Sequence, residues 1–161
     1  YCARVENPRT ESDWLSRDEK VVDDFKNDPL CDFIFTVDGF KALLTLVRED
    51  CDDRTAHKVP KELPIYILSG AEDPVGQYGE GVMKTYEQYK QAGIENLQVK
   101  IYPEMRHEIL NELGKEEVYE DILRWTEERI SEYAQENDEA DTENDDASDS
   151  QMDDKADSQE E

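Results

Sequence analysis

The chain has 161 residues and a formal net charge of −25, enough length for one domain with a modest core. Residues 134–161 carry 13 acidic side chains, one basic side chain and almost no apolar residues. Such a segment buries too little surface to offset its ordering entropy, so we predict a disordered acidic tail over 134–161. The remaining surface is also acidic and has no Lys/Arg patch, which argues against nucleic acid as a partner.

Several other classes are disfavoured by composition. No run approaches the roughly 20 apolar residues of a membrane-spanning helix, so we expect no integral membrane span. Cys2, Cys31 and Cys51 are widely spaced and lack a CxxC pattern, which favours reduced thiols in a cytoplasmic protein. No ligand spacing indicates a metal site, and we expect no cofactor. The chain begins at Tyr1 rather than Met, and we expect further sequence before it.

The amino-terminal third predicts two helices. A capping-box pattern from Ser16 to Glu19 predicts a helix over 17–26, which Pro29 ends. A second helix is predicted over 37–49. Its apolar residues recur at helical spacing and form one stripe: Phe40, Leu43, Leu44 and Val47.

A polar segment over 50–62 predicts a boundary, and alternating strands and helices follow it. The first strand is an apolar run that we expect to be buried on both faces. Gly93 closes the helix after it. The last helix should bury a stripe of Val118, Ile122, Trp125 and Ile130. In chain order the predictions are a strand over 64–68, a helix over 82–92, a strand over 97–102 and a helix over 116–133.

This order predicts an α/β fold in which two parallel strands are joined by a right-handed helical crossover. Two strands alone make a poor sheet, so we expect more strands before Tyr1. The predicted domains are a helical segment over 1–50, an α/β core over 51–133 and the acidic tail over 134–161.

Chemistry-bearing residues follow both predicted strands. Asp73 follows the first strand and His107 follows the second. Reactive groups in open parallel sheets gather beyond the carboxyl ends of the strands, so the two loops should lie side by side. An aspartate beside an imidazole fixes its tautomer and stabilises the imidazolium. The pair therefore predicts acid–base chemistry, in the order aspartate then histidine.

A family resemblance rests on four sequence motifs: NPRTESDWLSRD over 7–18, DPLC over 28–31, LSGAEDPVG over 68–76 and YPEMRHEILNE over 102–112. They resemble the bacterial lysophospholipase and monoacylglycerol-lipase-like α/β-hydrolases, which are often grouped with the serine aminopeptidases. The last two motifs are the most specific, because they occur together at the expected separation along the chain.

The resemblance implies that Asp73 is the triad acid and His107 the triad base. It implies that residues 1–50 are part of a helical lid over the active site, and that the chain is the carboxyl-terminal part of an α/β-hydrolase fold. The implied substrate is a lipid-like acyl ester, such as a lysophospholipid or monoacylglycerol, and no cofactor is needed.

The nucleophile of that family does not occur in the sequence. A G-x-S-x-G elbow is absent, and Ser69 ends a strand without the helix that an elbow requires. We therefore expect the amino-terminal half of the hydrolase to be missing and the chain alone to be inactive. Two alternatives stay open: a truncated, non-catalytic hydrolase that acts as an interaction protein, and a serine aminopeptidase-like peptidase.

Other polar residues receive simpler interpretations. His57 lies in the polar linker and is expected on the surface. Arg106 and Glu108 flank His107 and are expected to shape its loop through charge pairing.

Overall fold

A computed structural model describes residues 1–31 and 33–153 of the chain. The chain divides into two compact units, Tyr1–Val118 and Tyr119–Glu161. No helix among the described residues is both long and apolar enough to cross a membrane. The helices are α1 (Glu19–Asn27), α2 (Val37–Asp50), α3 (Asp53–Ala56), α4 (Glu80–Gln91) and α5 (Lys115–Asp153), and the strands are β1 (Ile65–Gly70) and β2 (Leu97–Tyr102).

The strands β1 and β2 pair in parallel, from Ile65 opposite Leu97 to Gly70 opposite Tyr102. Helix α4 is the crossover between them, as the sequence predicts. After α4, Gly93 adopts φ +89°, a left-handed conformation that glycine adopts at no steric cost and that reverses the chain into β2. The predicted α/β class and strand–helix–strand order are therefore confirmed.

Burial along β1 differs from the prediction. Residues 65–68 are half-buried, and only Ser69 and Gly70 are buried. A strand is covered on both faces only when further elements pack there, and among the described residues the sheet has only these two strands. The buried apolar residues of the first unit are Leu15, Val22, Ala92, Ile94, Tyr102, Met105 and Val118.

Helix α1 begins two residues later than predicted, because its cap is Asp18 rather than Ser16. The Asp18 carboxylate accepts the N–H of Lys20 at 2.9 Å. The Ser16 hydroxyl instead accepts the N–H of Asp18 at 3.0 Å and donates to the backbone O of Asn111 at 3.4 Å. Ser16 therefore joins the start of α1 to a distant loop and does not begin the helix.

Helix α2 matches its predicted bounds within one residue. The Thr36 hydroxyl caps it by accepting the N–H of Gly39 at 3.1 Å. Its apolar stripe is exposed along its whole length. The spacing of apolar residues thus located the helix, but no neighbouring element among the described residues covers the stripe.

Helix α5 starts one residue before its predicted start, at Lys115, and extends beyond residue 133 to Asp153. The disorder expected over 134–161 stays a prediction, and residues 154–161 lie outside the described residues. Neither Gly nor Pro occurs after Gly114, so the sequence contains no helix breaker there. The predicted apolar stripe is also incomplete, because Val118 is buried and Ile130 is exposed.

Candidate active site

The loops after β1 and β2 bring Asp73 and His107 into contact. Asp73 Oδ1 lies 3.1 Å from His107 Nδ1. The Asp73 residue is only 7% exposed, whereas the His107 side chain is 36% exposed. A buried carboxylate beside a partly exposed imidazole holds one ring nitrogen and leaves part of the ring accessible. The structure therefore brings together the two residues that the sequence singles out.

The Asp73 loop is fixed by hydrogen bonds from its own backbone. Asp73 Oδ1 also accepts the N–H of Val75 at 2.8 Å, and Asp73 O accepts the N–H of Tyr78 at 2.8 Å. Gly76 lies so close to the carboxylate that an added Cβ would be 3.2 Å from Asp73 Oδ2. The Asp73 side chain consequently has little freedom to leave the imidazole.

The two loops are also hydrogen-bonded to each other. The N–H of Ala71 donates to Tyr102 O at 2.9 Å, and the N–H of Glu72 donates to Met105 O at 2.9 Å. These bonds continue the parallel pairing of the strands into the loops. The carboxylate adjacent to Asp73 in the chain belongs to Glu72, which is exposed, whereas Asp73 is buried against His107.

A segment near the amino terminus lies against the His107 loop. The N–H of His107 approaches Trp14 O at 3.4 Å, and the N–H of Glu108 donates to Leu15 O at 2.8 Å. The Trp14 ring lies 5.0 Å from the imidazole, tilted by 45°. This aromatic contact restricts the orientation of the His107 ring.

Among the described residues, Arg106 and Glu108 do not form the predicted charge pairs around His107, and only Arg106 joins the loop to the amino-terminal segment through its side chain. Arg106 Nη1 donates to Asp13 O at 2.5 Å and Ser16 O at 3.0 Å, both of them backbone carbonyls. Glu108 Oε2 accepts from Asn111 Nδ2 at 2.9 Å. Backbone carbonyls carry no signature in the sequence, so the partners of Arg106 could not be predicted.

Glu112 is a residue that the sequence analysis did not single out. Its side chain has no exposed surface, and its carboxylate accepts four hydrogen bonds from the polypeptide around it. Glu112 is the last residue of the motif over 102–112 that contains His107, but its place in the sequence does not show whether its carboxylate is buried or on the surface. Its partners are the backbone N–H groups of Arg17, Arg106 and Leu113 and the Nε–H of Arg17.

Asp13 stabilises the turn that leads into Trp14. Its carboxylate accepts the N–H of Arg9 at 2.6 Å and the hydroxyl of Thr10 at 2.5 Å. Burial opposes ionisation of Asp13, but the hydrogen bonds from Thr10 and Arg9 outweigh it and hold the pKa of that carboxyl below its usual range.

We expect Asp13→Asn to lower the free energy of unfolding by about 1–3 kcal/mol at neutral pH, because charged acceptors make the stronger hydrogen bonds. The lowered pKa means that this contribution is complete above the unfolded-state value of 3.8 and disappears as pH falls through the folded-state pKa. Urea unfolding at neutral pH and at about pH 3 measures it. Glu6→Gln, at an exposed carboxylate, is the control. An Asp13→Asn effect of equal size at both pH values would contradict this explanation.

The remaining candidates lie apart from this contact. Ser69 is buried, and its hydroxyl donates to the backbone O of Gly70 at 3.3 Å. His57 is exposed, as predicted. No cluster of three His, Cys, Asp or Glu side chains within the described ranges is arranged to hold a metal ion.

An apolar cavity of about 590 Å³ opens beside Trp14, the residue whose ring packs on His107. Six of its nine lining residues are aromatic or aliphatic. Its lining residues are Tyr1, Glu11, Ser12, Trp14, Phe25, Leu30, Cys31, Phe33 and Phe35.

The parallel strands and the aspartate–histidine contact at their carboxyl ends define an α/β-hydrolase fold. Comparison with known proteins gives the family: the model described as serine aminopeptidase, S33, matches residues 3–114, and the chain belongs to that family.

Two solved structures are similar to the chain. A highly thermostable carboxyl esterase from Bacillus coagulans, crystallised with glycerol, is 36% identical with a TM-score of 0.73. That match covers 78% of this chain and 41% of the esterase. A lipase in an open form is 26% identical with a TM-score of 0.68, over 76% of this chain and 39% of the lipase. The chain therefore spans about two fifths of the length of these relatives.

Proposed function

We propose that this chain is the acid–base part of a serine-type carboxylester hydrolase, in which Asp73 is the triad acid and His107 the triad base. The observation that carries the proposal is the 3.1 Å contact between the buried Asp73 carboxylate and His107 Nδ1. The order of the two residues along the chain is that of α/β-hydrolases. Membership of the serine aminopeptidase family supports the same assignment.

The geometry of the pair suits general acid–base catalysis. When Nδ1–H of His107 donates to Asp73, the lone pair of the neutral imidazole is on Nε2. That nitrogen takes the proton of a serine hydroxyl as the hydroxyl attacks an acyl carbonyl, and then returns it to the leaving alcohol. The Asp73 carboxylate stabilises the imidazolium formed between these steps.

The proposed substrate is a lipid-like acyl ester, such as a lysophospholipid or monoacylglycerol. The apolar cavity beside Trp14 supports this choice, because its wall suits an alkyl chain whose ester end would lie near His107. The similar structures are described as a carboxyl esterase and a lipase, which also favours an ester.

The nucleophile of the proposed enzyme lies outside this sequence, because no G-x-S-x-G occurs in it. The proposal therefore needs the amino-terminal half of the hydrolase, with its serine elbow and oxyanion donors. In the complete enzyme, residues 1–50 would form part of the lid and residues 51–133 the end of the α/β core. A cytoplasmic location stays a prediction.

The experiment that tests the proposal compares two proteins in the hydrolysis of p-nitrophenyl esters. The isolated chain should show no turnover above buffer, because it lacks the acyl-enzyme route. A protein that adds the upstream reading frame, with its serine elbow, should turn over. Turnover by the isolated chain that disappears in Ser69→Ala would contradict our assignment, as would an inactive protein that contains a complete elbow.

A peptidase is the second candidate, because the matching family is described as serine aminopeptidase. It uses the same acid–base pair on an amide instead of an ester. Parallel assays of the longer protein with p-nitrophenyl esters and amino-acid p-nitroanilides separate the two. Faster cleavage of the anilide would favour the peptidase, and no cleavage of either substrate would favour the interaction protein.

A further inference from the structure

The buried carboxylate of Glu112 connects three parts of the chain around the His107 loop. Oε1 accepts the backbone N–H of Arg17 at 2.8 Å and that of Arg106 at 3.1 Å. Oε2 accepts Arg17 Nε–H at 3.0 Å and the N–H of Leu113 at 2.8 Å. The two carboxylate oxygens thus accept four hydrogen bonds. All four donors belong to the first unit of the chain.

The position of these donors relates Glu112 to the histidine. Arg106 immediately precedes His107. The hydrogen bond from the Arg106 N–H to Glu112 therefore holds the backbone one residue before the imidazole. Arg17 belongs to the segment whose backbone carbonyls at Trp14 and Leu15 face the next two N–H groups of the loop. Glu112 thus ties both sides of the contact between that segment and the His107 loop.

The electrostatics favour a specific role over simple packing. A carboxylate without exposed surface is costly unless it is paired and hydrogen-bonded, and Arg17 supplies the charge partner here. Arg17 also reaches Leu113 O at 2.9 Å through Nη2 and Glu104 at 3.3 Å through Nη1. The Arg17 guanidinium and the Glu112 carboxylate together bond to the loop at Glu104 and Arg106, before His107, and at Leu113, after it.

We propose that Glu112, with Arg17, is a positioning residue that holds His107 at hydrogen-bond distance from Asp73. It does not touch the substrate, and it acts through the backbone of Arg106. The proposal rests on the proposed function, because it assigns Glu112 a purpose in that acid–base pair. Without the hydrogen bonds of Glu112, the His107 loop would shift, and the bond between His107 Nδ1–H and the Asp73 carboxylate would weaken.

The test is the tautomer of His107, read from ¹⁵N shifts of the imidazole in the full chain at a pH where both histidines are neutral. In the wild type, His107 should carry its proton on Nδ1, and exposed His57 serves as an internal reference. In Glu112→Gln, the ratio of the Nδ1–H to the Nε2–H form of His107 should fall by about tenfold, the ratio that a single net hydrogen bond supports. His57 should not change.

Glu108→Gln is the matched control, since Glu108 is a carboxylate of the same loop whose side chain accepts from Asn111. It should leave the ratio at the wild-type value. Amide spectra report whether each variant is folded. If Glu112→Gln does not fold, Arg17→Lys decides, because it keeps the charge and the backbone N–H but loses the Nε and Nη2 bonds.

A folded Glu112→Gln chain with the wild-type ratio would overturn the positioning role, as would an unchanged ratio in Arg17→Lys where that variant decides. An equal fall in Glu108→Gln would also overturn it, because the effect would then not be specific to the buried carboxylate. A wild-type chain with the Nε2–H form at His107 would instead overturn the acid–base pair itself, which distinguishes failure of the proposed function from failure of this inference.

Discussion

Asp73→Asn in the complete enzyme should lower kcat by about 10⁴-fold, and His107→Ala should abolish turnover almost entirely. The carboxylate of Asp73 interacts most strongly with the imidazolium that forms during the reaction, so its loss acts on the transition state. KM should change little, because Asp73 is buried in contact with His107 and has little surface left for contact with a substrate. Steady-state kinetics on a p-nitrophenyl ester measures both parameters.

Glu72→Gln is the control for the choice of acid. Glu72 is the neighbouring carboxylate and is exposed, whereas Asp73 is buried in contact with His107. Its substitution should leave kcat close to that of the wild type. Loss of activity in Glu72→Gln together with retained activity in Asp73→Asn would mean that Glu72 is the acid.

The second large effect is expected at Gly70, the last residue of β1. A Cβ at this position would lie 2.2 Å from both Met105 O and Arg106 O, far inside van der Waals contact. Both are backbone atoms, so no side chain can rotate away to make room. Gly70→Ala should therefore lower the free energy of unfolding by at least about 3 kcal/mol, the upper end of the usual cost of overpacking.

The clash would separate the two loops that hold Asp73 and His107, so the variant should also lose the hydrogen bond between them. Urea unfolding of the chain measures the stability. Gly39→Ala, in helix α2, is the control, because the nearest atom to its Cβ would be a ring carbon of Phe35, an exposed side chain that precedes the helix. It should be neutral or stabilising by about 0.5–1 kcal/mol. Equal stability of Gly70→Ala and the wild type would show that the loops are not packed as described.

The strand–helix–strand unit could be predicted because local signals determine it. An apolar run marks β1, apolar residues at every second position mark β2, and Gly93 marks the reversal between α4 and β2. Asp73 and His107 could be singled out because parallel strands place their carboxyl ends together. These features depend on residues close in sequence or on a general property of parallel sheets.

Features that depend on distant partners could not be predicted. The contacts of Glu112 with Arg17 and of Arg106 with Asp13 join residues more than 90 positions apart. The predicted cap of α1 was wrong for a related reason: the Ser16 hydroxyl bonds to the distant backbone O of Asn111, and Asp18 caps the helix. Periodicity likewise located the stripe of α2 but could not say what would cover it.

The tautomer of His107 in the wild-type chain tests most directly whether Asp73 and His107 form a hydrogen-bonded acid–base pair. The contact at 3.1 Å predicts the proton on Nδ1 when the imidazole is neutral, and predicts that Asp73→Asn removes this preference. The pair would be contradicted if His107 carried its proton on Nε2 to the same extent as exposed His57, and if Asp73→Asn left that proportion unchanged.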